Sequence, residues 1–429
     1  MRRTLLGSAV VLFALACATP EAPPDVSSAE WAGFSSERLA RLTAQMQAFE
    51  ADPRISGVVT LVWREGLVVH NDVLGYQDVE TRTPMRRDTL FRIASMTKPI
   101  TSVAVLMLVE EGKLRLGEPV DRWLPELAKP RVLRDPAGSL GRTTPAKNPI
   151  TVRDLLTHRS GLAYEFTSTG PLSKALKDGG LLGSSSTLPS AEWMKRLGAL
   201  PLAYEPDTRW NYSLSTDVLG VLVERVSGIP FPEFLRTRLF EPLGMQDTAF
   251  WVPADKMDRL ATLYALDPKT GQVVATDRPP QSRLASPPAF ASGGGGLVST
   301  ADDYLRFALM LLGGGELEGV RILSPRMVEL MTTDQLTAEQ RKVPFLGRDF
   351  WAGQGFGLGV SVVDEPSRAI GSELVSAGTH GWGGAHGTWY FVDPAEDLVG
   401  VMLIQLTGGG QLVPMIPAFE TAIYQALVD

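Results

Sequence analysis

The sequence predicts an α+β protein in which an antiparallel sheet, flanked by N- and C-terminal helices, carries an inserted and mostly helical subdomain. Strand-like segments occur near both ends of the 429-residue chain, whereas its middle holds helical segments separated by loops rich in Gly, Pro and Ser. Strands and helices do not alternate strictly, as they would in a doubly wound parallel sheet. A chain of this length suits two interlocked subdomains better than one minimal core.

The first predicted elements are a helix and a hairpin. Two serines at 35–36 are typical of a helix start, and apolar residues at helical spacing extend the helix to about Glu50. Segments 58–63 and 67–73 are rich in Val and Leu, and a short turn containing a glycine separates them. This spacing predicts a β-hairpin at one side of the sheet.

The remaining strands are predicted near the C-terminus, before a final helix over about 417–427. Their segments are 356–363, 388–392 and 398–405. We therefore assign residues 30–117 and 284–429 to the sheet subdomain and residues 118–283 to the helical subdomain, with the active site between the two.

The N-terminus has the pattern of an export signal. Two arginines precede an apolar run that ends in a small-x-small pattern at residues 14–16, which predicts a signal peptide over 1–16 and a tether over 17–29. Cys17, the only cysteine of the chain, follows this pattern and resembles the lipidation site of bacterial lipoproteins. We expect export to the periplasm or a lipid anchor on a bacterial membrane. An ordinary signal peptide that contains a cysteine is the alternative for Cys17.

The bulk composition narrows the function further. The formal net charge is −7, which speaks against a nucleic-acid partner because such binding rests on basic surface. The four histidines do not stand at metal-ligand spacing, and no Gly-x-Ser-x-Gly motif occurs. We therefore expect no metal and no cofactor. The sequence does not indicate the oligomeric state.

One motif points to nucleophilic catalysis. Ser95-Met96-Thr97-Lys98 is the only S-x-x-K of the chain, and residues three apart lie on one helix face. A serine nucleophile needs a nearby base, and burial can make a lysine amine serve as one. The following segment to Gly112 is apolar on nearly every face, which predicts a central helix whose first N–H groups can face an oxyanion. A chance match is the alternative.

Three other segments are candidates for the site. Tyr212 precedes a predicted helix, and a phenol beside a lysine can act as a base; on residue pattern alone, a core tyrosine with a bonded hydroxyl is the favoured interpretation. Residues 380–387 combine glycines with the start of a strand, which permits close approach of a ligand. Four glycines at 293–296 lack the Lys-Ser/Thr of a phosphate loop and are interpreted as a flexible lining loop.

Taken together, these motifs resemble those of the serine β-lactamase and penicillin-binding-protein superfamily, and most closely the class C β-lactamase-like family VIII carboxylesterases. The matching segments, which occur in the expected order, are 91–98, 155–162, 210–213, 292–303 and 382–387. The resemblance implies a β-lactamase/transpeptidase-like fold. It makes Ser95 the acylated nucleophile, lets Lys98 and Tyr212 share the proton transfers, and forms the oxyanion hole from the backbone N–H groups of Ser95 and Ala385.

Two departures from the lactamase pattern bear on the substrate. The resemblance places Trp382-Gly383-Gly384 where lactamases carry Lys-Thr-Gly, and Leu214 where they carry Asn. The lactamase lysine helps bind the β-lactam carboxylate, which a tryptophan cannot do, so we expect a preference for neutral acyl esters. Trp210, Trp382 and Trp389 are candidates for the acyl pocket. The resemblance places His158 away from the nucleophile, in a structural role.

The resulting prediction is a serine hydrolase that acts through an acyl-enzyme, a carboxylesterase on short-chain acyl esters in particular. Its substrate is then a small-molecule ester or amide. The alternatives are a β-lactamase, a D-alanyl-D-alanine peptidase and an acyltransferase, which would pass the acyl group to an alcohol instead of water. A further alternative is a non-catalytic module that binds cell-wall peptide.

Overall fold

A computed structural model describes residues 26–343, 345, 350–369, 371–408 and 414–428. The predicted signal peptide, Cys17 and most of the predicted tether therefore lie outside the described residues. Within the described ranges, no helix combines the length and the apolar character needed to span a membrane.

The described residues form helices and strands in the order that the sequence predicts, strands at both ends and helices in the middle. The helices are α1 (Ser36–Glu50), α2 (Thr97–Glu110), α3 (Val152–Leu156), α4 (Gly170–Asp178), α5 (Ser190–Gly198), α6 (Ser215–Ser227), α7 (Phe231–Leu235), α8 (Glu241–Leu243), α9 (Ala301–Leu312), α10 (Pro325–Met331) and α11 (Met415–Tyr424). The strands are β1 (Gly57–Arg64), β2 (Leu67–Asp78), β3 (Thr83–Pro84), β4 (Phe91–Arg92), β5 (Arg131–Leu133), β6 (Thr143–Pro145), β7 (Leu263–Leu266), β8 (Val273–Asp277), β9 (Val298–Ser299), β10 (Glu316–Leu317), β11 (Val320–Arg321), β12 (Gln354–Phe356), β13 (Ser361–Val363), β14 (His380–Gly383), β15 (Trp389–Asp393), β16 (Leu398–Leu403) and β17 (Leu406–Thr407).

The main sheet joins the two ends of the chain. Its strand order is β12-β13-β14-β15-β16-β1-β2-β3, and every neighbouring pair is antiparallel. The predicted hairpin is present as β1 and β2, and the late strand β16 pairs with β1 so that Val59 faces Leu403. The predicted α+β class with an antiparallel sheet is confirmed.

Helices cover both faces of this sheet because its strands alternate between two cores. Val58 and Val62 of β1 pack with α1 and α11, whereas Val59 and Leu61 pack into the larger core that contains α2 and α9. Successive side chains of a strand point to opposite faces of the sheet, and both sets are hydrophobic here, so both faces are buried. The terminal helices α1 and α11 flank the sheet, as predicted, and the structure places both on the same face.

Helix α2 runs through the interior. All its residues from Thr97 to Leu108 are buried, Lys98 included, and it packs against α6 of the inserted region. A helix that is apolar on nearly every face is expected at this position. Its burial fixes the start of the helix, where the predicted nucleophile lies.

The structure differs from the sequence prediction in the segment 356–363, which is two short strands rather than one. Strands β12 and β13 form a hairpin whose turn contains Gly359 at φ +96°. A side chain there would collide with the Ser102 hydroxyl on α2. The turn can therefore lie against α2 only because residue 359 is glycine.

The end of the predicted helical subdomain also contains strands. β7 and β8 form a hairpin, and β7 pairs in parallel with β17 from the C-terminal part of the chain. This end of the insertion thus lies beside the main sheet. The subdomain boundaries stay a prediction.

Candidate active site

Ser95 and Lys98 lie at the start of α2, in contact with each other. The short 3₁₀ turn Ala94–Met96 leads into the helix, and Ser95 is partly exposed while Lys98 is 1% exposed. Lys98 Nζ lies 3.1 Å from Ser95 Oγ and donates to the Gly294 carbonyl oxygen at 2.6 Å. Ala94 adopts φ +44°, a backbone conformation that costs energy for a residue with a side chain. Such strain just before a candidate nucleophile is common at functional sites.

Tyr212 completes the cluster from the inserted region. It lies in the turn before α6, and Lys98 Nζ stands 4.5 Å from the centre of its ring. Trp382 on β14 contacts the same side chain, with its Nε1 donating to the Tyr212 hydroxyl at 3.2 Å. An indole N–H can only donate, so the Tyr212 oxygen is the acceptor in this bond. The structure thus brings together the three residues predicted for nucleophile and proton transfer.

The predicted oxyanion hole lies between α2 and the turn after β14. Thr388 donates to the Ile93 carbonyl at 3.1 Å, and Gly384 lies so close to this carbonyl that any side chain would collide with it. The N–H groups of Ser95 and Ala385 donate to no protein atom in the part of the chain that the structure describes. They are therefore available to a substrate oxygen, as the resemblance implies.

The glycine-rich loop at 292–297, which the sequence suggested to be a flexible lining loop, forms hydrogen bonds to both α2 and α6. Thr101 of α2 donates to the Gly293 carbonyl at 2.8 Å, and the buried Asp217 of α6 accepts the Gly294 N–H at 3.2 Å. A side chain at Gly294 would collide with Asp217 and lie 2.8 Å from the Tyr164 hydroxyl. The glycines are needed because this loop passes between two helices and presents a carbonyl to Lys98.

Asp217 is a residue of the site that the sequence reasoning missed. It is fully buried, accepts from Tyr164 at 3.3 Å and also accepts from the Ser292 hydroxyl. Burial raises the pKa of this carboxyl, while the positive charge of Lys98 and its hydrogen bonds act in the opposite direction. Burial and the neighbouring Asp217 also hold the pKa of Tyr164 well above its ordinary value. An aspartate inside the apolar helix α6 was the available signal.

The expectation that His158 lies away from the site is wrong. Its ring packs against Tyr212 with centroids 4.8 Å apart, and its Nδ1 accepts the Ser213 N–H at 3.3 Å. Burial and the nearby Lys98 charge hold the pKa of His158 well below its ordinary value, so the imidazole is neutral. His158 thus supports Tyr212 from behind. Sequence distance hid this contact, because 53 residues separate the two rings in the chain.

The candidate substrate residues fall in different places. A cleft of about 320 Å³ beside Tyr212 is lined by Trp210, Phe166 and Phe345 among others. Leu214 is fully buried at the start of α6 and does not line this cleft. The expectation that Trp389 lines the acyl pocket is wrong, because it faces the opposite core and donates to Glu420 of α11 at 3.0 Å.

The described residues contain no group of three or more His, Cys, Asp or Glu that could hold a metal ion. His380 and His386, which are six residues apart, have separate environments. His380 contacts the Gly378 carbonyl at 3.0 Å, and His386 contacts the Thr407 hydroxyl at 2.8 Å. Burial lowers the pKa of each to about 4.

Comparisons with known proteins agree with this fold. A sequence model of a family described as Beta-lactamase matches residues 40–422. Protein Rv1367c of Mycobacterium tuberculosis (strain ATCC 25618 / H37Rv) is 47% identical over 358 residues, which cover 82% of this chain and 86% of that protein. Esterase EstB of Burkholderia gladioli is 35% identical over 403 residues, which cover 90% of this chain and 95% of the esterase. The solved structure of "EstCE1, a hydrolase with promiscuous acyltransferase activity" superposes with a TM-score of 0.73 at 30% identity and covers 92% of this chain and 99% of that one.

Proposed function

The chain belongs to the beta-lactamase family of serine hydrolases, and we propose that it is a carboxylesterase that cleaves short-chain acyl esters through an acyl-enzyme on Ser95. The observation that carries the proposal is the 3.1 Å contact between Lys98 Nζ and Ser95 Oγ at the start of a buried helix, with Tyr212 against the lysine. The 35% identity to an esterase supports the choice of substrate class.

In the proposed reaction, Ser95 Oγ attacks the ester carbonyl and its proton passes to the Tyr212–Lys98 pair. The N–H groups of Ser95 and Ala385 donate to the oxygen that becomes negative. The C–O bond of the ester then breaks, and the leaving alkoxide takes the proton from the same pair. Water then attacks the acyl-Ser95 carbonyl and gives its proton to the Tyr212–Lys98 pair. The bond between the acyl carbon and Ser95 Oγ breaks, Oγ takes that proton back, and the carboxylic acid is released.

Trp382 supports an ester rather than a β-lactam as the preferred substrate. Its indole is 5% exposed and packs edge-on to Phe356, with ring centroids 5.2 Å apart. The lactamases that the sequence resembles have a lysine at this position, and its charge attracts the β-lactam carboxylate. An indole offers one N–H donor, and here Tyr212 takes it. The pocket wall at β14 therefore has no cation for that carboxylate.

An acyltransferase is the second candidate. The similar structure EstCE1 is described as a hydrolase with promiscuous acyltransferase activity. An acyl-enzyme does not distinguish the two activities by its chemistry, because an alcohol can attack the acyl-Ser95 carbonyl in place of water. The candidates differ only in which acceptor reaches the acyl group.

The test is turnover of a p-nitrophenyl butyrate and a chromogenic cephalosporin by wild type and Ser95→Ala, with a fluorophosphonate probe as a label for the nucleophile. We expect ester turnover to dominate over cephalosporin turnover and to fall by at least about a thousandfold in Ser95→Ala. Adding a primary alcohol tests the acyltransferase candidate, which predicts that butyrate esters of that alcohol form. Dominant cephalosporin turnover would identify a lactamase. No turnover and no labelling of folded wild type would favour a peptidase or a cell-wall peptide-binding module.

A further inference from the structure

Arg209 is a cation in the cleft beside Tyr212 that the proposed mechanism does not use. It lines the 320 Å³ cleft together with Tyr212, Phe166 and Phe345. Its guanidinium lies 4.1 Å from the centre of the Tyr204 ring. Within the described residues, its Nε atom is buried without a hydrogen-bond partner, and the guanidinium forms no ion pair. A buried donor without a partner is unusual in a folded protein, and one explanation is that a bound ligand accepts its hydrogen bond.

The carboxylates closest to Arg209 in sequence form contacts with other residues. Asp207 pairs with Arg159 at 2.7 Å, and Glu205 accepts backbone N–H groups from the loop that contains Asn148. The other residues that line the cleft are aromatic, aliphatic or uncharged polar residues, which cannot fully neutralise a positive charge. Among the described residues, Arg209 therefore lines a substrate-sized cleft without a carboxylate partner. A guanidinium can bind a carboxylate in two parallel hydrogen bonds.

A second donor lies in the lining of the same cleft. Thr169 lines it, precedes α4 and makes no capping hydrogen bond to that helix. Its hydroxyl has no partner among the residues that the structure describes. An anion held by Arg209 could take this hydroxyl as well. Arg209 precedes Tyr212 by three residues, so the two Cα atoms can lie up to about 10 Å apart in an extended segment.

We propose that Arg209 selects esters that carry a carboxylate on the arm that enters this cleft. This inference rests on the proposed esterase function and narrows its substrate class to anionic esters, such as the half-ester of a short dicarboxylic acid. It differs from the expectation of neutral esters drawn from Trp382. That residue leaves the β14 side of the site without a cation, whereas Arg209 provides one on the side of α4.

The test compares esters that differ in one charge. For the acyl arm, the pair is mono-p-nitrophenyl glutarate and p-nitrophenyl pentanoate; for the alcohol arm, it is meta-acetoxybenzoate and phenyl acetate. The variants are Arg209→Gln, which removes the charge, and Arg209→Lys, which keeps it. Arg326→Gln is the matched control, because Arg326 is an exposed residue of α10 that does not line the cleft. Thermal melting checks that each variant is folded.

We expect Arg209→Gln to lower kcat/KM for the anionic ester of one pair by roughly ten- to a hundredfold, the range for a hydrogen bond to a charged group. The neutral ester should stay within about twofold, Arg209→Lys should retain part of the preference, and salt should weaken the preference only while Arg209 is present. The affected pair identifies the arm that enters the cleft. An equal change in all four esters, or none, would overturn the inference and leave the esterase function standing. Absence of turnover in wild type would refute the esterase function and the inference with it.

Discussion

Replacing Trp382 with phenylalanine separates a hydrogen bond from the packing that surrounds it. The indole N–H donates to the Tyr212 hydroxyl at 3.2 Å, while the ring itself packs with Tyr212, Phe350 and Phe356 at centroid distances of 5.6, 5.8 and 5.2 Å. Phenylalanine keeps an aromatic ring in this cluster and removes the donor. The change therefore tests whether the site depends on that bond.

The size of the effect depends on the charge of the Tyr212 oxygen. A hydrogen bond to a neutral oxygen contributes about 0.5–1.5 kcal/mol, which corresponds to a two- to tenfold change in rate, whereas one to a charged oxygen contributes about 1.5–3 kcal/mol, or ten- to a hundredfold. If Tyr212 acts as an ionised base, the donor stabilises that base. We then expect Trp382→Phe to lose ten- to a hundredfold in kcat/KM at pH 7.

Trp210→Phe is the matched control for this experiment. Trp210 stacks on the other side of Tyr212, with centroids 5.9 Å apart at 18°, and its buried indole N–H has no partner in the described part of the chain. The Trp210→Phe variant therefore loses the same side-chain volume as Trp382→Phe but no hydrogen bond. The assay is p-nitrophenyl butyrate hydrolysis from pH 6 to 9, with melting temperatures for all three proteins. Equal losses in both variants, or a Trp382→Phe enzyme within twofold of wild type at pH 7, would refute the reasoning.

Two further predictions concern the packing around the site and the pH dependence of stability. Gly294→Ala should destabilise the fold by about 1–3 kcal/mol and lower esterase kcat at least tenfold, because its Cβ collides with Asp217; Gly295→Ala, where the nearest atom is 3.6 Å away, should be mild in both assays. Burial raises the pKa of Glu420 from about 4.5 to about 7. The folded state then holds its proton more tightly, so this residue should cost about 3 kcal/mol of stability as pH rises from 4.5 to 7. Urea unfolding should show that Glu420→Gln lacks this loss, and equal pH dependence in both proteins would contradict it.

The sequence predicted those parts of the fold that depend on local patterns. The hairpin of β1 and β2, the helix α1 and the buried helix α2 each follow from residue spacing within one segment. Ser95 and Lys98 are near each other for the same reason, because three residues along a helix bring two side chains to one face. The segment 356–363 was mistaken for one strand because its turn depends on a tertiary contact of Gly359 with α2.

The rest of the site could not be predicted because it is made by contacts between distant segments. His158 was expected elsewhere, yet it packs on Tyr212. The side chain of Trp389 lies on the opposite face of the sheet, and the pairing register of β15 decides which face it occupies. Arg209 resembles any surface arginine in the sequence, since only the folded chain shows that no described residue forms an ion pair with it. Asp217 was also missed, but it could have been found from the sequence, because an acidic residue inside an apolar helix is unusual.

The contacts of Lys98 bear on how the proton transfers are divided in the proposed reaction. One of its hydrogens is taken by the Gly294 carbonyl at 2.6 Å, and the faces of Tyr212 and Tyr164 lie 4.5 and 5.3 Å from Nζ, where an aromatic ring attracts a cation. A charged amine donates but cannot accept, so a Lys98 that stays charged cannot take the proton of Ser95. In that case the proton goes to the Tyr212 oxygen, the atom that accepts from Trp382. If the proposed reaction divides the roles in this way, removing the Trp382 donor should report on the base more directly than changing a neighbour of Lys98.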